Sequence, residues 1–223
     1  MHQRKSKKIL IYLFLLLIVS SINNNSLNKI KFNNIQNIKL TGLDQKDNQI
    51  LLNKIKNLTL ENIFFINKNE IVKLLNSNSL IERYEVFKKY PSTIDIKIEK
   101  TNFFAKINKN GKTYLIGSNG KLTLYKEYYE DLPFIFGKPN INEFLKFKNI
   151  LNKSKFSYDH IKDLYFFPSK RWDLRFKNDT LLKLPNNLTN ETLDRLYEFF
   201  DNHNGEKYNI VDARIENQII LNE

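Results

Sequence analysis

Ile9 to Val19 is an unbroken run of eleven apolar residues, and His2-Gln3-Arg4-Lys5-Ser6-Lys7-Lys8 precedes it as a basic flank without an acid. A helix built from this run is apolar on every face, so it has no polar side to turn to water. The run is short for a membrane span, because ~30 Å of hydrocarbon takes about 20 residues. Its length also suits the core of a cleaved signal peptide. A soluble core helix is the third reading, disfavoured by the all-round apolarity and the position at the extreme terminus. A retained anchor is preferred for two reasons. Ser20-Ser21-Ile22-Asn23-Asn24-Asn25 offers no Ala-x-Ala-like cleavage site, and snorkelling Lys7 and Lys8, with Ser20 to Ile22 in the far interface, lengthens the effective span. The basic flank then keeps the N-terminus in the cytoplasm. The expected order is a tail over 1–8, a transmembrane helix over 9–22, a polar linker over 23–34, and everything after about Asn23 exported.

The remainder of the 223-residue chain is long enough for one or two domains with real cores. Cysteine is absent, which excludes disulfides and thiolate metal sites. The net charge of +12 raises the question of nucleic acid. Basic residues are dispersed among acids rather than gathered in a stripe, and Lys, Asn and Ile dominate throughout, so compositional drift explains the charge better and no nucleic-acid partner is expected.

Ile35, Ile38 and Leu40 before Thr41-Gly42 predict a short strand. Ile50, Leu51, Ile55 and Leu58 have helical spacing, and Asn67 with Glu70 opens a second helix carrying Ile71, Leu74 and Leu75. Ile81 to Tyr90 leads to the Pro91-Ser92 turn. In Thr93 to Lys100, Ile94, Ile96 and Ile98 alternate with Asp95, Lys97 and Glu99, the mark of a half-buried strand. The unit over 35–101 therefore reads β-α-α-β-β.

The unit over 102–223 reads as mainly antiparallel β with two helices. Phe103–Ile107, Thr113–Ile116 and Lys121–Tyr125 are separated by Asn110-Gly111 and Asn119-Gly120, both tight hairpin signals. Asn140 and Glu143 cap a helix bearing Phe144, Leu145, Ile150 and Leu151. Leu164–Phe167, Arg171–Lys177 and Thr180–Leu184 are strand-like, with Asn178-Asp179 at a turn. Leu193, Leu196, Tyr197 and Phe200 form the last helix, ended by Gly205. Tyr208–Arg214 and Gln218–Leu221 close the chain around Glu216-Asn217. The fold class is α+β.

Catalytic motifs are missing. His2, His160 and His203 lie in separate segments without a second ligand at metal spacing. No Gly-x-Ser-x-Gly or Ser-x-x-Lys pattern occurs in a plausible setting, and six glycines form no phosphate loop. No cofactor, metal or small-molecule substrate is expected, and the enzyme reading, a cell-wall hydrolase, is disfavoured.

The stretch Val86-Phe87-Lys88-Lys89-Tyr90-Pro91-Ser92-Thr93-Ile94-Asp95-Ile96-Lys97-Ile98-Glu99-Lys100 resembles the end of a POTRA domain, a β-α-α-β-β module that binds other polypeptides. With Ala105, Leu132-Pro133 and Gly137, Arg171-Trp172-Asp173-Leu174, Leu184-Pro185 and Asp212-x-Arg214 in that order, the chain resembles the FtsQ/DivIB cell-division family. Gly117 stands where that family commonly has Asp. The resemblance implies a non-enzymatic bitopic scaffold of the divisome in the inner membrane at the division septum. Its C-terminal part would be periplasmic, and it would link early and late division proteins to control septal wall synthesis. FtsB/FtsL-type division proteins and other divisome members are the implied partners. The implied docking residues are Asp212, Arg214, Ile215, Asn217, Ile219 and Leu221 on an edge near the C-terminus. An unpaired edge suits strand addition, although alternate strand residues also face a core by default. Trp172 is expected to pack against the sheet. The alternative is a POTRA-containing export or outer-membrane assembly component. Such relatives carry a long β-barrel, and the strands after Asn102 hold too many charges to face lipid.

Overall fold

The computed structural model describes residues 3–22, 35–58, 68–125, 131–202, 208–215 and 218–222. Asn67, Gly205 and the Glu216-Asn217 turn lie outside the described residues. Helix α1 (Gln3–Ile22) carries the apolar run, and Ile9 to Val19 are all exposed. At 1.5 Å per residue that run is only about 16 Å long. No helix among the described residues is long and apolar enough to cross a membrane. The apolar length alone therefore does not deliver the expected span.

The first unit runs β1 (Asn37–Thr41), α2 (Gln45–Lys56), α3 (Lys68–Ser77), β2 (Ile81–Lys89) and β3 (Thr93–Lys100). The strands form a three-stranded sheet in the order β1-β3-β2, with β1 parallel and β2 antiparallel to β3. Central β3 turns Ile94, Ile96 and Ile98 onto Leu51 and Ile55 of α2 and Ile71 and Leu75 of α3, and these buried side chains are the core. Asp95, expected to be solvated on the outer face, is buried under an ion pair with Lys89.

Between β1 and α2 the chain must reverse within three residues. Gly42 does this at a φ of 116°, so close to β3 that a Cβ there would lie 1.8 Å from the Ile98 carbonyl oxygen. Only glycine meets both conditions.

The second unit is a nine-stranded sheet built from β4 (Phe103–Lys109), β5 (Lys112–Gly117), β6 (Leu122–Leu124), β7 (Phe134–Phe136), β8 (Ile161–Phe166), β9 (Trp172–Phe176), β10 (Leu181–Lys183), β11 (Ile210–Asp212) and β12 (Ile220–Asn222). Its order is β12-β11-β10-β9-β8-β7-β4-β5-β6. Most pairs are antiparallel, but β4–β7, β7–β8 and β10–β11 are parallel. Parallel neighbours need a long crossover, usually a helix. Helix α4 (Ile141–Lys153) supplies it between β7 and β8, and α5 (Asn190–Asn202) supplies it between β10 and β11. Both helices contribute to one core with the inward strand residues Ile135, Leu164, Leu174, Leu182 and Val211. Strand β7 was not legible in the sequence.

Local signals set the details. Asn110 and Gly111 take φ of 53° and 74°, a two-residue hairpin turn. At Asn119-Gly120 only Gly120 is left-handed, and Gly117 and Lys121 flank a three-residue loop instead. Helix α4 opens on a full capping box between Asn140 and Glu143. Trp172 packs under it, stacked on Phe147 at a ring separation of 4.6 Å and tilted against Phe144 and Phe166.

A polar latch joins the two units. Asn119 donates to the carbonyls of Ser79 and Ile81, at 3.0 and 2.9 Å, and Lys121 Nζ donates to those of Asn76, in the last turn of α3, and Asn78, just past it. Ser118 and Thr101 hydroxyls both donate to Glu82. A Cβ at position 117 would lie 2.8 Å from Asn119 Oδ1 and 2.9 Å from Thr101 Oγ1. That crowding accounts for glycine beside the latch.

Gly42→Ala is expected to lower the unfolding free energy by roughly 2 kcal/mol or more, since it adds both backbone strain and a clash. Urea denaturation checks this, and an unchanged midpoint would contradict the close approach to Ile98.

Candidate functional site

The nine-stranded sheet is open, so it has two edges. One of them is β12. It pairs antiparallel with β11 through Ile210↔Asn222, Val211↔Leu221 and Asp212↔Ile220. Among the described residues no strand pairs with its other side. Such a margin presents backbone donors and acceptors in the row another strand would fill.

The side chains at this margin divide by face. Val211 is fully buried, and Leu221 opposite it is 37% exposed. Ile220 and Ile215 are 47% and 56% exposed. Ile219 is half-buried and packs against the core. Asp212 lies on β11, hydrogen-bonded within the sheet on both sides, so its backbone is not part of the free row. Its role is local. Arg214 donates to the Asp212 carboxylate through its backbone N at 3.1 Å and through Nε at 2.8 and 2.9 Å. Those bonds hold the Asp212 carboxyl below the usual carboxylate range. Asn217 lies outside the described residues. Of the residues expected to dock a partner, Arg214, Ile215, Ile219 and Leu221 are thus gathered at this margin, and Asp212 sits one strand inward.

Beside β12 is a groove of about 630 Å³ whose lining includes Arg171, Arg195, Leu196, Arg214, Ile215 and Ile219. The chain has only six arginines among its 36 basic residues, and three of them are here. Two flank a strand and are oriented by an Asp two residues away on it, Arg171 just before β9 and Arg214 just after β11. Arg171 Nε donates to Asp173 at 3.0 Å, while its guanidinium lies 4.3 Å from the Phe167 ring centre. Arg214 leans on Asp212 in the same way. Asp173 differs from Asp212 because it is buried more deeply. Burial pushes its carboxyl up despite Arg171 and the Leu184 backbone N–H, which donates to it at 3.4 Å. The groove thus combines planar multi-donor cations with an apolar floor, the chemistry that recognises a carboxylate on an otherwise apolar segment. Sequence reasoning missed Arg195 and Ile220 as site residues. The scarcity of arginine was the available signal for Arg195.

A second depression, about 650 Å³, lies over β2 and β3 between Arg83, Glu85, Lys97 and Glu99. Arg83 and Glu99 pair there at 2.9 Å, so its charges largely satisfy each other. Among the described residues no cluster of His, Asp or Glu converges on a metal position.

Two family models match the chain. Residues 33–100 match the POTRA domain of FtsQ type, and residues 105–214 match the C-terminal domain of the cell division protein FtsQ/DivIB. The chain belongs to the FtsQ/DivIB family. The C-terminal match ends at Arg214, before β12, so the edge itself rests on the geometry above. Similar proteins include the cell division protein DivIB of Clostridium botulinum, 27% identical over 156 residues covering 66% of this chain and 59% of that protein. The cell division protein FtsQ of Rickettsia bellii is 26% identical over 159 residues covering 68% of this chain and 57% of that one. The matched region thus spans less than two thirds of either relative's length.

The two aspartates make opposite predictions. A depressed carboxyl contributes stability that is fully present above its unfolded value near 4 and is lost as pH falls through its folded value. A carboxyl raised by burial contributes the reverse. Asp212→Asn is expected to destabilise the protein at pH 7 and flatten its acid sensitivity. Asp173→Asn, which keeps an acceptor for Leu184, is expected to be close to neutral. Thermal unfolding between pH 3 and 7 checks both, and equal losses would contradict the assignment.

Proposed function

We propose that this chain is a non-enzymatic, bitopic scaffold of the divisome that docks an FtsB/FtsL-type partner by strand addition to β12 and so controls septal wall synthesis. The observation that carries this reading is the open β12 margin lying directly against the arginine-lined groove. An incoming strand would complete the backbone row. An acidic side chain on it would meet Arg171, Arg195 and Arg214, and its apolar side chains would meet Ile215, Ile220 and Leu221. Family membership supports the division role, and other divisome members are the further partners proposed.

The proposed organisation is a cytoplasmic tail over 1–8, an inner-membrane anchor over 9–22, a linker over 23–34, the POTRA domain over 35–101 and the β domain over 102–223, with the C-terminus periplasmic. The exposed, all-round apolar surface of α1 supports the anchor, since water offers it no partner. Its short apolar length is made up by Lys7 and Lys8 snorkelling at one end. Placement at the septum follows from the division role.

Ile215→Asp and Leu221→Asp are expected to weaken capture of an FtsB-type periplasmic segment at least ~10-fold, because a desolvated carboxylate opposes apolar contact. The urea midpoint should hold, since both side chains are exposed. Arg195→Glu should weaken capture through charge reversal. Pull-down with purified proteins measures all three, and undiminished capture by every variant would contradict docking at this edge.

A further inference from the structure

We propose that the β2–β3 end of the POTRA unit is a membrane-contacting face that binds anionic phospholipid headgroups. The inference rests on the reading of α1 as a bilayer anchor and goes beyond it.

Topology fixes which end this is. The chain enters the unit at the β2–β3 turn, where the backbone N–H groups of Gln36 and Asn37 donate to the Ser92 carbonyl at 2.9 and 3.3 Å. β1 then runs away from that turn, because Asn37 pairs with Thr93 and Thr41 with Lys97. α2 starts just beyond the far end of β1 and must return toward the turn. α3 ends at the far end, where Ser77 leads through Asn78 into β2, so it must begin at the turn end. The β domain leaves from the far end, after Lys100. The connection from α1 therefore joins the unit at the turn end, and its twelve residues, 23–34, span at most about 40 Å.

Charge separates the two ends. Lys54 and Lys56 in the last turn of α2, Lys68 opening α3, and Lys88 and Lys89 beside the turn gather at the α1 end. Among the described residues the acids there are Glu70 and Asp95, and Lys89 already pairs with Asp95. Asp44, Asp47, Glu82 and Glu99 lie at the opposite end together with Lys46, Arg83, Lys97 and Lys100, so charge there nearly balances; Asp44 pairs with Lys100 at 2.6 Å and Glu99 with Arg83. A dispersed +12 would populate both ends alike. Here the excess lies at the end where the connection from the apolar helix joins the unit. Tyr90 projects from the turn with 61% of its surface exposed. An aromatic body with a polar tip suits the headgroup region. Lysines near an anionic leaflet attract it over roughly a Debye length, about 8–10 Å.

The full chain lacks cysteine, so Asn57→Cys at the end of α2 takes a single donor fluorophore. Energy transfer to a labelled lipid is then read in phosphatidylcholine vesicles with and without phosphatidylglycerol, alongside flotation. The expected result is co-flotation with both and greater transfer with phosphatidylglycerol, falling as salt is raised to about 0.5 M. Adding Lys54→Gln, Lys56→Gln and Lys88→Gln should remove the difference, at roughly fivefold in surface association per lysine. The triple variant's urea midpoint reports whether the unit stays folded. A chain that floats with both vesicles but transfers equally in each overturns this proposal alone. A chain that floats with neither overturns the anchor and this proposal together.

Discussion

The parallel pairing of β10 with β11 is the constraint on which the rest of the β unit depends. Parallel neighbours cannot be joined by a tight turn, so α5 must cross between them. In crossing, it lays Leu193 and Leu196 over Leu182, Leu184 and Val211. The same crossover carries the chain beyond β10, so that the last hairpin, β11 to β12, is added at the outside of the sheet. With α4 and α5 packed into one core, no strand among the described residues pairs with the outer side of β12. The free margin is thus a consequence of how the core is built, and the groove beside it forms where α5 meets the β11 end.

Electrostatics at that margin is organised by local pairs. Arg214 and Arg171 are each held by an aspartate two residues away in sequence, Asp212 on β11 and Asp173 on β9, which orients the guanidinium without consuming all five of its donors. The arginines are therefore set in place before any partner arrives. Preorganisation of this kind lowers the ordering cost of binding. At the other end of the molecule Lys54, Lys56 and Lys68 of the POTRA tip are long and exposed, which suits a diffuse charged surface better than a specific carboxylate.

Much of the fold was legible because its signals are local. Alternation in Thr93–Lys100 and the Asn140–Glu143 spacing each need only a few neighbouring residues, and β3 and α4 follow from them. β7 was not legible. Phe134–Phe136 is three residues long between Pro133 and Gly137, and its strand character comes from parallel partners 28 residues before it and 29 after it, Lys106 and Tyr165 among them. Asp95 and Asp173 read as solvated positions on alternating strands, yet Lys89 and Arg171 cover them. The site divides along the same line. Ile215 and Leu221 could be placed near an edge from their position in the last hairpin. That Asp212 lies one strand inward, and that Arg195 on a helix meets Arg171 and Arg214, depends on the crossover of α5 and leaves no trace in spacing.

In the proposed docking, β12 is where a foreign strand completes the sheet. Amide hydrogen exchange along Ile220–Asn222, measured on the full chain with and without an FtsB-type periplasmic segment, tests this most directly. The account predicts that the outward amides of β12 exchange readily in the free protein and become protected on binding, while those of β10 and β11 are protected in both. Protection of β12 in the free protein, or binding that leaves its exchange unchanged, would contradict it.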